Sequence, residues 1–162
     1  MNIFSTKKEI KVKQNARVFI SRNENIAIIA TMHYNGKGGF LYEDEKPVVM
    51  SSPIEPENLG QITLNALRAT RIKILNINTM RKKSDWPAFK ISKVKSMRKF
   101  EQDFICMHIR AANEMNLIYQ IDGDPYVGSE LHVSASISSA AKPENIGVCL
   151  LTVFRACLDR RI

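Results

Sequence analysis

The chain has 162 residues, 44% of them hydrophobic and 25% charged, with a formal net charge of +8. These are globular values that exclude wholesale disorder, and the length suits one domain with a real core. No apolar run approaches the roughly 20 residues of a membrane-spanning helix, and residues 1–13 lack the apolar stretch of a signal peptide.

The positive charge is concentrated. Residues 71–110 hold 11 basic and 3 acidic side chains, against 9 and 7 in residues 1–70 and 4 and 6 in residues 111–162. Outside the central segment the chain is neutral. A basic segment predicts attraction to nucleic acid, an anionic surface or an acidic protein. The cysteines, Cys106, Cys149 and Cys157, have neither the even count nor the paired short spacings of a disulfide framework or zinc site. Three reduced thiols in the cytoplasm are the expectation.

Residues 1–13 are polar and Lys-rich. Alternation over residues 16–22 predicts a strand with Val18 and Ile20 on one face and Arg17 and Phe19 on the other. Asn23, Glu24 and Asn25 form a turn signal, and residues 26–34 are a β-prone run. The glycine-rich stretch 34–39 predicts a hairpin turn. It lacks the spacing of a phosphate loop. Residues 40–42 and 47–51 read as extended, interrupted by Glu43, Asp44 and Glu45. Pro56 opens a helix with Leu59, Ile62, Thr63, Ala66 and Leu67 on one face. Residues 77–95 read as a connector. Strands are expected at 97–101, 104–111, 116–121 and 131–137, with the stretch Asp122, Gly123, Asp124, Pro125 as a turn. Pro143 opens a last helix with Ile146, Leu150, Val153 and Cys157 on one stripe.

A pentapeptide repeats. Pro56, Glu57, Asn58, Leu59 and Gly60 recur 87 positions later as Pro143, Glu144, Asn145, Ile146 and Gly147. The chain therefore reads as an α+β protein of two β-β-β-α units, about 14–76 and 96–159, in one domain of residues 1–162. Glycine inside a helix costs about 1 kcal/mol relative to alanine. Two at matched positions predict that each helix packs closely there, on its sheet.

The stretch from Pro53 to Gly60, the Lys95, Ser96, Met97 run and the closing stretch from Ser138 to Gly147 resemble the CdiI immunity-protein family of contact-dependent growth inhibition toxin–immunity systems. The resemblance covers about residues 16–158. It implies an α+β fold of two sheet–helix units, similar to the Whirly arrangement. It also implies a non-enzymatic cytoplasmic protein that binds and neutralises the C-terminal domain of a cognate toxin, often a nuclease. The second copy departs from the first, with Ser138 and Ser139 where the first has Ser51, Ser52 and Pro53, and its helix carries Cys149 and Phe154.

A nuclease has a basic, phosphate-binding site, which an inhibitor can block by presenting carboxylates. The candidates for toxin contact are Tyr42, Glu43, Asp44 and Glu45, with Asp122, Asp124 and Glu130, on loops expected to share related faces. The alternative is a module binding single-stranded nucleic acid through residues 71–110. There Arg81, Lys82, Lys83 and Lys90 would meet phosphates and Trp86 would stack a base. His33, His108 and His132 have no short-range partner suggesting a triad or metal pair, so an RNA-processing enzyme is the remotest reading. The Asp122–Asp124 turn lacks the further ligands of a calcium loop. Nothing in the pattern implies a metal or cofactor, and neither membrane nor nucleic acid is the expected partner.

Overall fold

The computed structural model describes residues 12–36, 39, 41–74 and 82–159. The alternating runs become strands β1 (Asn15–Ser21), β2 (Ile26–Tyr34), β3 (Leu41–Glu43) and β4 (Val48–Ser51), followed by helix α1 (Pro56–Arg68). A 3-10 turn (Lys83–Asp85) and two short helices, α2 (Pro87–Ser92) and α3 (Met97–Asp103), precede β5 (Phe104–Ala111), β6 (Ile118–Gly123), β7 (Val133–Ser138) and helix α4 (Pro143–Asp159). The protein is α+β. One antiparallel seven-stranded sheet runs β3-β2-β1-β5-β6-β7. β4 shares the outer side of β2 with β3, pairing Ile26–Ile29 while β3 pairs Met32–Tyr34. Among the described residues no helix is long and apolar enough to cross a membrane.

The main core lies between the sheet and the helix pair α1–α4. Val18, Ile20, Ile29, Ile105, Met107, Ile109 and Ile121 meet Leu59, Leu67, Ile146, Leu150 and Phe154 there. Alternation in the strands and three-to-four spacing in the helices put these residues on matching faces. The repeated glycines serve the helix pair. Gly60 abuts Pro143 at the start of α4, and Gly147 abuts Pro56 at the start of α1. Each helix therefore packs most closely on the other helix, not on its sheet.

A second, smaller core sits on the opposite face, where α2 and α3 bury Phe19, Ile28, Ala88, Phe100 and Phe104. Phe100 is its centre, with ring centroids 5.3 Å from Phe19, 4.8 Å from Phe104 and 5.7 Å from Phe89.

Four expected elements are corrected. Residues 97–101 are helical, because the Ser96 hydroxyl caps the run by accepting from Lys99 N at 3.2 Å, and the helix turns Phe100 inward. β6 starts at Ile118, not at 116, because Asn116 adopts a left-handed conformation (φ 54°) in the turn that precedes it. Asp122 and Gly123 belong to that strand and not to the turn after it. A Cβ on Gly123 would meet Cys157 Sγ and Val153 at 2.8 Å, so glycine there lets α4 lie close. β7 likewise starts at Val133, since Leu131 is held in a local loop by Ser129 Oγ.

Candidate functional site

α2 and α3 cover only part of the sheet face opposite α1 and α4. The remainder carries polar side chains in two rows across the strands. In one, Arg17 of β1 stands beside His108 of β5, His108 beside Asp122 of β6, and Asp122 beside Ser134 of β7. In the next, Asn15, Arg110, Gln120 and Ser136 follow in the same order. Both rows alternate with core residues such as Val18, Met107 and Ile121 and so share the other face.

Asp122 is the hub. It accepts from Arg110 Nη2 at 3.1 Å, from Ser134 Oγ at 2.6 Å and from Gln120 Nε2 at 3.1 Å. Asp124 holds His132 Nδ1 at 2.6 Å. The carboxylates on this face are thus already engaged, and the face presents paired charges.

Arg17, His108 and Asp124 stand between two hollows. One, of about 250 Å³, is walled by Trp86, Phe100, Phe104 and Tyr126. The other, of about 390 Å³, is polar, with Arg110, Asp122, His132 and Ser134. In the wall of the first, Cys106 Sγ lies 3.6 Å from His108 Nε2. Burial pushes the Cys106 thiol up to about 12, with Arg17 opposing in part. Burial, reinforced by the charge of Arg17, lowers His108, although Asp124 and Asp122 pull it back in part. At neutral pH the pair is a thiol beside a neutral imidazole, without the thiolate that a nucleophile needs.

The acidic candidates separate. Asp122 and Asp124 lie on this face, and Glu130 is exposed in the β6–β7 loop. Tyr42, Glu43, Asp44 and Glu45 lie toward the opposite edge of the sheet, where β3 is. Glu43, expected in an exposed loop, ends β3 and is 1% exposed. Its Oε2 accepts from Ala88 N at 2.9 Å, and its Oε1 lies 3.6 Å from Arg17 Nη1. It fastens α2 to the sheet and offers nothing to a partner. Tyr42 is buried, its hydroxyl donating to Lys73 O at 2.7 Å. Asp44 accepts from His33 Nε2 at 2.9 Å. His33 Nδ1 accepts from Arg71 N at 3.3 Å, which fixes the proton of the neutral ring on Nε2. Glu45 is exposed.

The basic candidates also disperse. The Trp86 ring, expected to stack a base, is capped by the Arg17 guanidinium at 4.4 Å. Lys83 is 3.5 Å from Glu101. Lys82 and Lys90 are exposed, and Arg81 lies outside the described residues. Among the described residues no group of three or more His, Cys, Asp or Glu gathers to hold a metal ion. Sequence reasoning did not reach Arg17, Arg110, Gln120 and Ser134 as one surface. The signal was present in β5, where Cys106, His108 and Arg110 alternate with Ile105, Met107 and Ile109.

No family model matches the chain, and no curated protein does. Two solved structures share its fold over nearly their whole length. A protein of unknown function from Neisseria meningitidis, NMB0488, has a TM-score of 0.64 at 18% identity, covering 94% of this chain and 97% of that one. A chain of the CdiA-CT/CdiI toxin and immunity complex from Yersinia pseudotuberculosis has a TM-score of 0.65 at 13% identity, covering 90% and 98%.

Proposed function

We propose that this chain is an immunity protein that binds a protein toxin of the contact-dependent growth inhibition type and neutralises it stoichiometrically, without catalysis. The observation that carries the reading is the fold shared, over 90% of this chain and 98% of that one, with a chain of a CdiA-CT/CdiI toxin and immunity complex. The polar sheet face around Asp122 and Asp124, with Glu130 beside it, is the surface we assign to the toxin. It combines paired charges in fixed register with an aromatic slot, a pattern that favours a specific protein partner over a uniform polyanion. The toxin is a nuclease in this reading. The carboxylates approach its basic groove, and the complex forms in the cytoplasm, where a nuclease meets its substrate.

The experiment is co-expression with the C-terminal region of the toxin encoded beside this chain. This chain alone should be tolerated, the toxin region alone should arrest growth, and the two together should restore it. Failure of rescue, or toxicity of this chain by itself, overturns the reading. For the interface, Asp124→Lys with Glu130→Lys should weaken toxin binding about tenfold or more and flatten its dependence on salt. Unchanged affinity removes this face as the contact.

A further inference from the structure

A third cavity, of about 760 Å³, opens beside the C-terminal end of α1, away from the polar sheet face. Its polar lining includes Gln14, Arg68, Arg71, Asn116, Tyr119 and Ser139, and none of its lining residues is acidic. The size falls within the range of small-molecule sites.

The two arginines are presented from anchored backbone. Thr70, between them, accepts from Asn15 N and donates to Asn15 O, both at 2.9 Å. Tyr34 N donates to Arg71 O at 3.0 Å, and Lys73 N to Tyr34 O at 2.9 Å, so the segment runs fixed beside β2. Arg68 stands in the last turn of α1, where a cation complements the helix dipole. That accounts for Arg68 but not for Arg71, which lies beyond the helix. Neither guanidinium has an acidic partner among the described residues. Arg17, Lys73, Lys83, Lys99, Arg110 and Arg155 each have one.

The other groups are largely committed, in a way that leaves donors over. The Asn116 amide is spent on Gln14 N and Val12 O, at 2.9 and 3.1 Å. Tyr119 donates its hydroxyl to Gln14 Oε1. That leaves Gln14 Nε2 and the Ser139 hydroxyl, with the two guanidiniums, as hydrogen-bond donors without a partner among the described residues. Ile72 and the 61% exposed Met115 give the cavity an apolar side.

We infer that this cavity binds a phosphate-bearing small molecule of nucleotide size, its phosphate held between Arg68 and Arg71 and its apolar part against Ile72 and Met115. Two planar guanidinium forks suit one group with three terminal oxygens and up to two charges better than a single carboxylate. The site lies apart from the face assigned to the toxin and stands without that assignment.

Calorimetric titration of the full chain with adenosine monophosphate, inorganic phosphate and adenosine tests this. Adenosine monophosphate should bind once per chain, phosphate more weakly, and adenosine not measurably. Arg68→Gln and Arg71→Gln should each weaken binding about tenfold or more, since a charge-assisted hydrogen bond is lost. Both side chains are exposed, so melting of the free Arg71→Gln variant should not change, and Arg68→Gln should lose only its small contribution at the helix end. Ser139→Glu, which puts a carboxylate into the cavity, should abolish binding. The proposal is overturned if nothing saturates, if adenosine binds as well as its monophosphate, or if the arginine variants bind like the parent. Binding confined to a single-stranded oligonucleotide also overturns it, because it assigns the arginines to a polymer.

Discussion

Gly60 of α1 and Gly147 of α4 pack reciprocally, each against the proline that opens the other's helix. A Cβ on Gly60 would lie 1.7 Å from the Pro143 carbonyl oxygen, and one on Gly147 1.8 Å from that of Pro56. The two glycines and the two prolines are each 87 positions apart, and the contacts swap between copies. A local two-fold axis between the helices requires that exchange. β1 and β5, antiparallel neighbours at the centre of the sheet, follow the same relation.

At an open helix position, glycine to alanine gains about 1 kcal/mol. Here the added methyl meets backbone, which cannot rotate away. Gly60→Ala and Gly147→Ala should each destabilise the protein by about 3 kcal/mol, at the upper end of overpacking costs. The double variant should cost less than the sum, because the first methyl already separates the helices. Urea unfolding measures this, and a single variant as stable as the parent contradicts the contact.

Glu43 is a joint between sheet and connector, so charge reversal there reports on folding. Glu43→Lys should cost more than about 3 kcal/mol by leaving Arg17 without its carboxylate and Ala88 N without its acceptor. Glu43→Gln should cost less, since its amide oxygen still accepts from Ala88 N. Trp86, the only tryptophan, is packed on Arg17. Its fluorescence should shift to the red in the lysine variant alone, and an unshifted spectrum would detach Glu43 from α2.

Asp44 makes one contribution to stability pH-dependent. Burial alone would raise its carboxyl. The hydrogen bonds from His33 and Lys46 N, with the charge of Lys73, outweigh that and hold it below its ordinary value. The folded state therefore favours the carboxylate. The stabilisation is full above the ordinary carboxylate pKa and is lost as pH falls through the lowered value, below about pH 4. The stability gap between the parent and Asp44→Asn should be constant near neutrality and shrink in acid. A gap that stays constant to pH 2 would rule out this linkage.

Thiol labelling separates the cysteines. Cys106 stays a thiol at pH 8, and Cys157 is buried on the core face of α4. Cys149 is half-buried on the same helix and raised less. Iodoacetamide at pH 8 should modify Cys149 first, Cys106 more slowly because its thiol is held protonated, and Cys157 only on unfolding. Mass mapping that finds Cys106 modified first would mean its sulfur is more acidic than the fold implies.

Much of the scaffold was legible because it rests on local physics. Alternation placed β1 and β5, β-propensity placed β2, and the repeated proline fixed where α1 and α4 begin. The misplaced elements failed at single side chains whose partners are local but whose outcome is not. Ser96 became a helix cap because Phe100 had a core to enter. Gly123 became a strand residue because α4 lay above it.

The sequence by itself determined the α+β class, the two matched helices and the faces they bury, since periodicity and chain stereochemistry act within a few residues. Only the tertiary structure decided what the polar residues do. It brought Arg17 beside His108, 91 positions away, by strand register. It drew Glu43 out of an acidic run into the interior, because Arg17 and Ala88 N were there to receive it. It also turned the paired glycines from the sheet toward each other. A charge's role depends on which neighbours share its desolvated space, and those neighbours are set by pairings across the whole chain.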